Sequence, residues 1–209
     1  MTTAPVAAKY PLEFWVDYPD RDLNRLTTAF RVLTVIPIAI VLGTLGGGFN
    51  FGRVGVGLAA GGLLVAGPLL MILFRQKYPR WWFEWNLQLL RFQTRVSAYL
   101  LLLRDEYPAT DDEQAVHVDV AYPDTRAELN RWLPLVKWLL AIPHYVVLLF
   151  LAIAGFFIVI AAWFAILFTG RYPRSLFDFL VGVMRWGNRV TAYAFMLVTD
   201  RYPPFRLGP

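Results

Sequence analysis

The chain contains no cysteine. A disulfide scaffold, an iron–sulfur centre, a thiol nucleophile and a cysteine-ligated zinc are therefore excluded. Histidine is nearly absent too; His117 and His144 are the only two, and they offer little for a metal or a general base. Charged residues make up only 17% of the sequence, against about a quarter in an ordinary soluble domain. A disordered chain is excluded and a soluble enzyme disfavoured. No Gly-rich loop ends in Lys-Ser or Lys-Thr, so no P-loop is available. Nucleophile, base and orienting residue do not cluster anywhere, and no cofactor motif is present. The reading is of a non-enzymatic protein with no cofactor and no metal.

What is present is apolar. Of 209 residues 57% are hydrophobic and 16% aromatic, the mean hydropathy is +0.47, and the net charge is +5. Three stretches lack Asp, Glu, Lys and Arg: 21 residues from Val32 to Gly52, 21 from Val54 to Phe74, and 33 from Trp138 to Gly170. A bilayer core needs roughly 20 apolar helical residues. The first two stretches predict a hairpin of two spans over about 26–75, turning at Gly46 to Arg53. The third predicts a second hairpin over about 129–170, broken near Ala154-Gly155; one long tilted helix is the alternative. The polar first 25 residues hold no apolar core of a cleavable signal peptide.

Two hairpins would put 19 of the 20 Lys and Arg residues on one side, leaving Arg53 alone on the other. Basic loops face the cytoplasm, so both termini are expected there.

Landmarks recur along the chain. Tyr18-Pro19-Asp20 returns as Tyr122-Pro123-Asp124, and Leu23-Asn24-Arg25 as Leu129-Asn130-Arg131. Ile36-Pro37 returns as Ile142-Pro143, Lys77-Tyr78-Pro79-Arg80 as Arg171-Tyr172-Pro173-Arg174, and Arg95-Val96-Ser97-Ala98-Tyr99 as Arg189-Val190-Thr191-Ala192-Tyr193. Register is kept across five landmarks, with a 12-residue shortening inside the second hairpin. This predicts a tandem duplication with units 1–109 and 110–209 in like orientation. The fold class expected is an all-α membrane protein of four transmembrane helices in two tandem hairpins.

The run from Ala162 to Arg174, with Arg185-Trp186, Arg189-Val190-Thr191-Ala192-Tyr193 and Asp200-Arg201-Tyr202-Pro203-Pro204-Phe205, resembles the bacterial membrane domain-of-unknown-function family 4389. At the position of Arg201 the family more often has an acidic residue. The likeness covers most of 116–205 and, in a more diverged copy, 10–109. It implies a bacterial inner-membrane protein and brings no activity or site residues.

Each hairpin is followed by an amphipathic segment, Trp81 to Leu103 and Ser175 to Val198. Glu84, Gln88, Arg91 and Arg95 fall on one helical stripe, as do Asp178, Gly182, Arg185 and Arg189. Such helices suit the interfacial plane, with Trp81, Trp82, Trp85, Phe177 and Trp186 near headgroup depth. Spanning is the alternative, at about 2.5–3.5 kcal/mol for each central arginine. Ser175 is the expected N-cap, with Asp178 at the capping-box position. The stripe reads either as a solvated edge or as a patch in which Arg91, Arg95, Arg185 and Arg189 contact lipid phosphates or a partner.

Ahead of each hairpin, Leu12, Phe14, Val16 and Val116, Val118, Val120 alternate with other residues. Period-two alternation predicts a strand in each unit, a cytoplasmic strand pair, with an extended linker as the alternative. Seven tyrosines precede proline and mark element boundaries. Pro37 and Pro143 should kink the first span of each hairpin. His144 is expected to pack against another helix and His117 to be solvated. Gly43/Gly47 and Gly57/Gly61 have the spacing of close helix contacts.

The function expected is that of a scaffold or accessory subunit. It would bind a membrane-protein partner or its own copies through the interfacial helices. The alternatives are lipid binding or lipid passage through the paired arginines, with membrane lipids, anionic ones included, as partners, and a small-solute channel between the units. Nucleic acid is not a partner, since the basic residues flank membrane segments.

Overall fold

The computed structural model describes residues 10–46, 54–110 and 112–209, and helix side chains outside 44–64. Strands β1 (Leu12–Val16) and β2 (Val116–Val120) form one antiparallel pair, with Leu12 opposite Val120, Phe14 opposite Val118 and Val16 opposite Val116. Alternation turns those six side chains to one face, where all are buried. Two helices cover that face. Helix α4 (Arg80–Leu100) packs on β2 and α7 (Arg174–Ala194) on β1. Phe83, Leu87 and Leu90 from α4 join Phe177, Leu180 and Val181 from α7 in a single core.

Both helices start where Tyr-Pro stops the preceding chain. Pro79 and Pro173 are their N-caps, in extended conformation and without a side-chain cap bond. The expected cap at Ser175 is thus displaced to Pro173, because Arg174 is already helical. Both helices end before a leucine in the left-handed region, Leu102 (φ 63°) and Leu197 (φ 59°). Both leucines are buried, and their packing offsets the roughly 1–2 kcal/mol that this conformation costs a residue with a Cβ.

The remaining helices are α1 (Arg25–Ala29), α2 (Arg31–Gly46), α3 (Val54–Arg75), the short α5 (Lys137–Leu140) and α6 (Ile142–Thr169). Asn24 caps α1 by accepting from the amides of Leu26 and Thr27. Helix α2 packs between α3 and α4, and α6 rests on α7 and α1.

The described residues do not show the four membrane-spanning helices expected. Among the described residues one helix, α6, is long and apolar enough to cross a membrane, with 28 residues and a mean hydropathy of 2.9 over its most apolar stretch. The expected break at Ala154-Gly155 is absent. Gly155 is helical and buried, and a Cβ there would lie 3.3 Å from Leu180 Cδ2, so glycine serves the approach of α7. The left-handed glycine that ends the helix is Gly170 (φ 76°).

Upstream, Leu129 to Ala141 is not a span. Asn130 accepts from the Trp132 amide, Leu133–Leu135 forms a 3-10 turn, and Lys137 is turned inward. In the first half, the apolar stretches with described side chains are Arg31–Gly43 of α2 and Val65–Arg75 of α3, and the rest of those two helices lies outside that description. The hairpin tip and Gly47 lie outside the described residues, as do the surroundings of Gly57 and Gly61. Without four crossings, the placement of both termini in the cytoplasm loses the charge count on which it stood.

The strand pair expected from alternation is present. Helices α4 and α7, expected at the headgroup plane, are half core instead: Phe83, Phe177 and Trp186 are buried, whereas Trp81 and Trp85 are exposed. Pro143 sits in the first turn of α6, where it interrupts no hydrogen bond, and Pro37 lies inside α2.

Candidate functional site

The striped arginines face the strand pair. An antiparallel pair leaves one edge of each strand unpaired, and those edge carbonyls need donors. Arg91 Nε donates to the Val118 carbonyl at 2.9 Å, and Arg185 Nε to the Phe14 carbonyl at 3.1 Å. Phe14 and Val118 are register partners at the centre of the pair. One turn further along each helix, Arg95 Nη1 donates to the Ala109 carbonyl at 2.9 Å. Arg189 Nη2 donates to Gly208 at 3.0 Å and Nη1 to Arg206 at 3.5 Å.

All four residues predicted from the stripe therefore grip main-chain carbonyls, in two different settings. Arg91 and Arg95 line an open polar cleft of about 390 Å³ with Trp15, Gln88, Glu113 and His117. His117, expected to be solvated, stacks on Trp15 at 4.7 Å and pairs with Asp17 at 3.1 Å. Arg185 and Arg189 lie under the C-terminal residues, where Arg185 Nη1 also donates to Leu207 at 2.8 Å. Burial pushes both of these guanidinium groups below their ordinary pKa, and the neighbouring Arg206 and Arg185 charges add to this for Arg189.

Two buried cation clusters complete the arrangement. Arg31, 2% exposed, pairs with Asp105, donates to the Arg104 carbonyl at 2.7 Å, and lies 4.0 Å over the Tyr99 ring. Lys137, 0% exposed, pairs with Asp200 at 2.7 Å, donates to the Thr199 carbonyl at 2.7 Å, and lies 5.3 Å from the Tyr193 ring. The second oxygen of each aspartate takes a backbone amide, Asn24 N at 2.7 Å on Asp105 and Asn130 N at 2.6 Å on Asp200. Burial pushes the Lys137 ammonium below its ordinary pKa, with Asp200 acting in the opposite sense.

These clusters escaped the sequence reading because Arg31 and Lys137 sit beside charge-free runs and passed for flanking charges. The spacing held the clue. Arg31 and Lys137 stand as far apart as Leu23-Asn24-Arg25 and its counterpart.

Other contacts cross between the halves in pairs. Tyr18 donates to the Tyr172 carbonyl and Tyr122 to the Tyr78 carbonyl. Tyr78 donates to Met196 at 3.0 Å, and Tyr172 to Leu101 at 3.3 Å. Tyr18 meets Phe177 edge-on at 5.0 Å, as Tyr122 meets Phe83 at 5.1 Å. His144, expected to pack on another helix, accepts from Trp186 Nε1 at 3.0 Å through Nδ1 and stacks on Phe205 at 4.0 Å.

Fold and site together define a small protein with, among the described residues, one candidate membrane helix, laid on a strand-and-helix body with internal ion pairs. Residues 132–206, which hold α5, α6, α7 and the Lys137–Asp200 cluster, match the family model described as Domain of unknown function (DUF4389). Comparison with curated proteins and with solved structures gives no match.

Proposed function

We propose that the chain is a tandem-duplicated, non-catalytic protein of the bacterial inner membrane, acting as a scaffold or accessory subunit for a membrane partner or for its own copies. The observation that carries this reading is the bare outer surface of α6. Only 11% of its most apolar stretch is buried, and Leu149, Phe150, Phe156, Phe157 and Phe168 are exposed. Exposed apolar surface on this scale marks a membrane or protein contact. Meanwhile the polar stripe is engaged in holding the strands, so the molecule offers adhesion and shape more than reaction chemistry. The paired contacts support the duplication, since each half supplies the tyrosine and the arginine that the other half's carbonyls accept.

Native mass spectrometry of the full chain from mild detergent tests the reading. A homo-oligomer or a stoichiometric co-purifying protein is expected; a lone monomer would contradict it. One observation favours the lipid reading: Arg91 and Arg95 border an open cleft, whereas Arg185 and Arg189 are covered. Replacing Arg91 and Arg95 by glutamine should then lower retained anionic lipid more than replacing Arg185 and Arg189. Equal retention removes it.

A further inference from the structure

Helix α6 is long enough to cross a bilayer, but it is fastened to the body from end to end. At its start Lys137 pairs with Asp200, the Tyr202 hydroxyl donates to the Leu140 carbonyl at 3.1 Å, and His144 accepts from Trp186. At mid-length Gly155 lies against Leu180, and further on Trp163 Nε1 donates to the Thr28 carbonyl at 3.1 Å. At its end the Gly170 carbonyl accepts from the Leu23 amide at 2.8 Å, and Arg171 pairs with Asp22 at 3.1 Å. The buried residues Ala141, His144, Gly155, Ala162, Ile166 and Gly170 fall on one stripe along the helix, over about 40 Å at 1.5 Å per residue. Ala141 clusters with Trp186, Val190 and Tyr193, and Gly155 meets Leu180, so α6 and α7 run antiparallel side by side. Between those contacts, Arg185 of α7 holds Phe14 at the centre of the strand pair. The strand pair thus stands level with the middle of α6. Its outer side carries Asp17 and Asp119, whose side chains are 56% and 72% exposed. Were α6 to cross, these carboxylates and the two-stranded sheet would sit beside it at mid-bilayer depth. Hydrocarbon tolerates neither a lipid-facing carboxylate nor an open sheet.

We infer that α6 does not cross the membrane but lies in its plane, seating the chain on one leaflet with both ends of the helix on the same side. This rests on the reading that the bare face of α6 meets lipid. The face itself selects lipid over protein. From Ile142 to Phe168 every exposed side chain of α6 is apolar, so it offers nothing to the polar rim and hydrogen bonds of an ordinary protein interface. An apolar cleft of about 730 Å³ between α6, α7 and the α1–α2 corner widens the same surface, with Val32 of α2 exposed beside it. A helix lying in this way sinks about 5–10 Å, to the boundary of headgroups and acyl chains. The net charge of +5 suits an anionic leaflet.

Single cysteines at the exposed positions Val146, Ile153, Phe157 and Phe168, each carrying a bimane, are placed in the full chain and reconstituted in vesicles of phosphatidylcholine and phosphatidylglycerol. Doxyl lipids labelled either near the acyl carbonyl or at the chain end report depth. The near-carbonyl label should quench all four positions more strongly, with the same ratio from one end of the helix to the other. In spheroplasts and in inside-out vesicles of the expression host, Arg131→Cys and Arg171→Cys should react with an impermeant maleimide in the same one of the two preparations. Two results overturn the inference and leave the lipid contact standing: chain-end quenching that peaks at Ile153 and Phe157, or reaction of the two helix ends in opposite preparations. Absence of quenching from either depth at all four positions would remove the lipid contact itself, and the in-plane seating with it.

Discussion

Arg31 and Lys137 occupy matching places in the two halves and solve the same problem with different chemistry. Each carries a buried positive charge to an aspartate, a carbonyl and a tyrosine ring. A guanidinium has five donors and an ammonium three on one atom. Lys137 places its nitrogen between one carbonyl and one carboxylate. Arg31 satisfies its aspartate and its carbonyl and still keeps Nε over, beside the apolar cleft. Exposure differs as well: Asp105 is 9% exposed and Asp200 20%. The comparison teaches that one half uses its buried cation as a closed staple, while the other leaves one donor without an acceptor.

The largest way to break this comparison is to remove the carboxylates. Asp105→Asn strands a buried guanidinium and should cost about 3–5 kcal/mol. Asp200→Asn should cost less, because Asp200 itself is 20% exposed and water reaches its side of the pair. Denaturant unfolding in detergent measures both, and equal losses would erase the distinction.

The counterpart tyrosines come next. Burial raises the Tyr78 phenol to about 12, with the Asn86 side chain pulling it partly back. Tyr172, its counterpart, is raised further by burial alone. A phenol whose folded pKa exceeds its unfolded value of about 10 stabilises the fold fully below that pH. That stability should disappear as pH rises through the folded values. Tyrosinate absorbance against pH should show Tyr78 ionising before Tyr172, and Asn86→Leu should delay Tyr78.

The strand-edge arginines come after these. Arg91→Gln removes one charged donor from an edge carbonyl, at a cost of about 1–2 kcal/mol, and Arg185→Gln should cost somewhat more because its bond to the Leu207 carbonyl goes too. A larger loss for Arg91→Gln in denaturant unfolding would contradict this order.

The smallest effect separates the covered arginine setting from the open one. A Cβ at Gly182 would lie 2.9 Å from Leu207 Cβ and 3.2 Å from its carbonyl oxygen. Gly182→Ala should therefore loosen residues 206–208 and speed their proteolysis, at a cost of about 1 kcal/mol. Gln88→Ala, one stripe position ahead of Arg91 on the open side, should leave the proteolysis unchanged.

Much of this was legible in the residues. Alternation disclosed both strands because each has a single buried face. The Tyr-Pro pairs disclosed the starts of α4 and α7 because proline excludes its predecessor from a helix. The stripe disclosed Arg91, Arg95, Arg185 and Arg189, though not what they hold, since strand carbonyls 27 residues from Arg91 and 171 residues from Arg185 leave no trace in local spacing. The second hairpin misled for a physical reason. Hydropathy registers solvent preference and not direction, and a glycine packed closely against Leu180 looks the same as a glycine at a turn. Lys137 misled in the opposite way, since a lysine beside an apolar run ordinarily points to water and here Asp200 draws it inside.

The most direct test uses the absence of cysteine. Single cysteines along α6, in full-length chain reconstituted in vesicles, can be probed with a water-soluble maleimide and a lipid-soluble quencher. Leu149, Ile153, Phe157 and Phe164 should be quenched from the lipid and resist the maleimide, while Ala162 and Ile166 should resist both. Labelling of the outer positions by the maleimide would contradict a bare face set in lipid over a body closed by its own ion pairs.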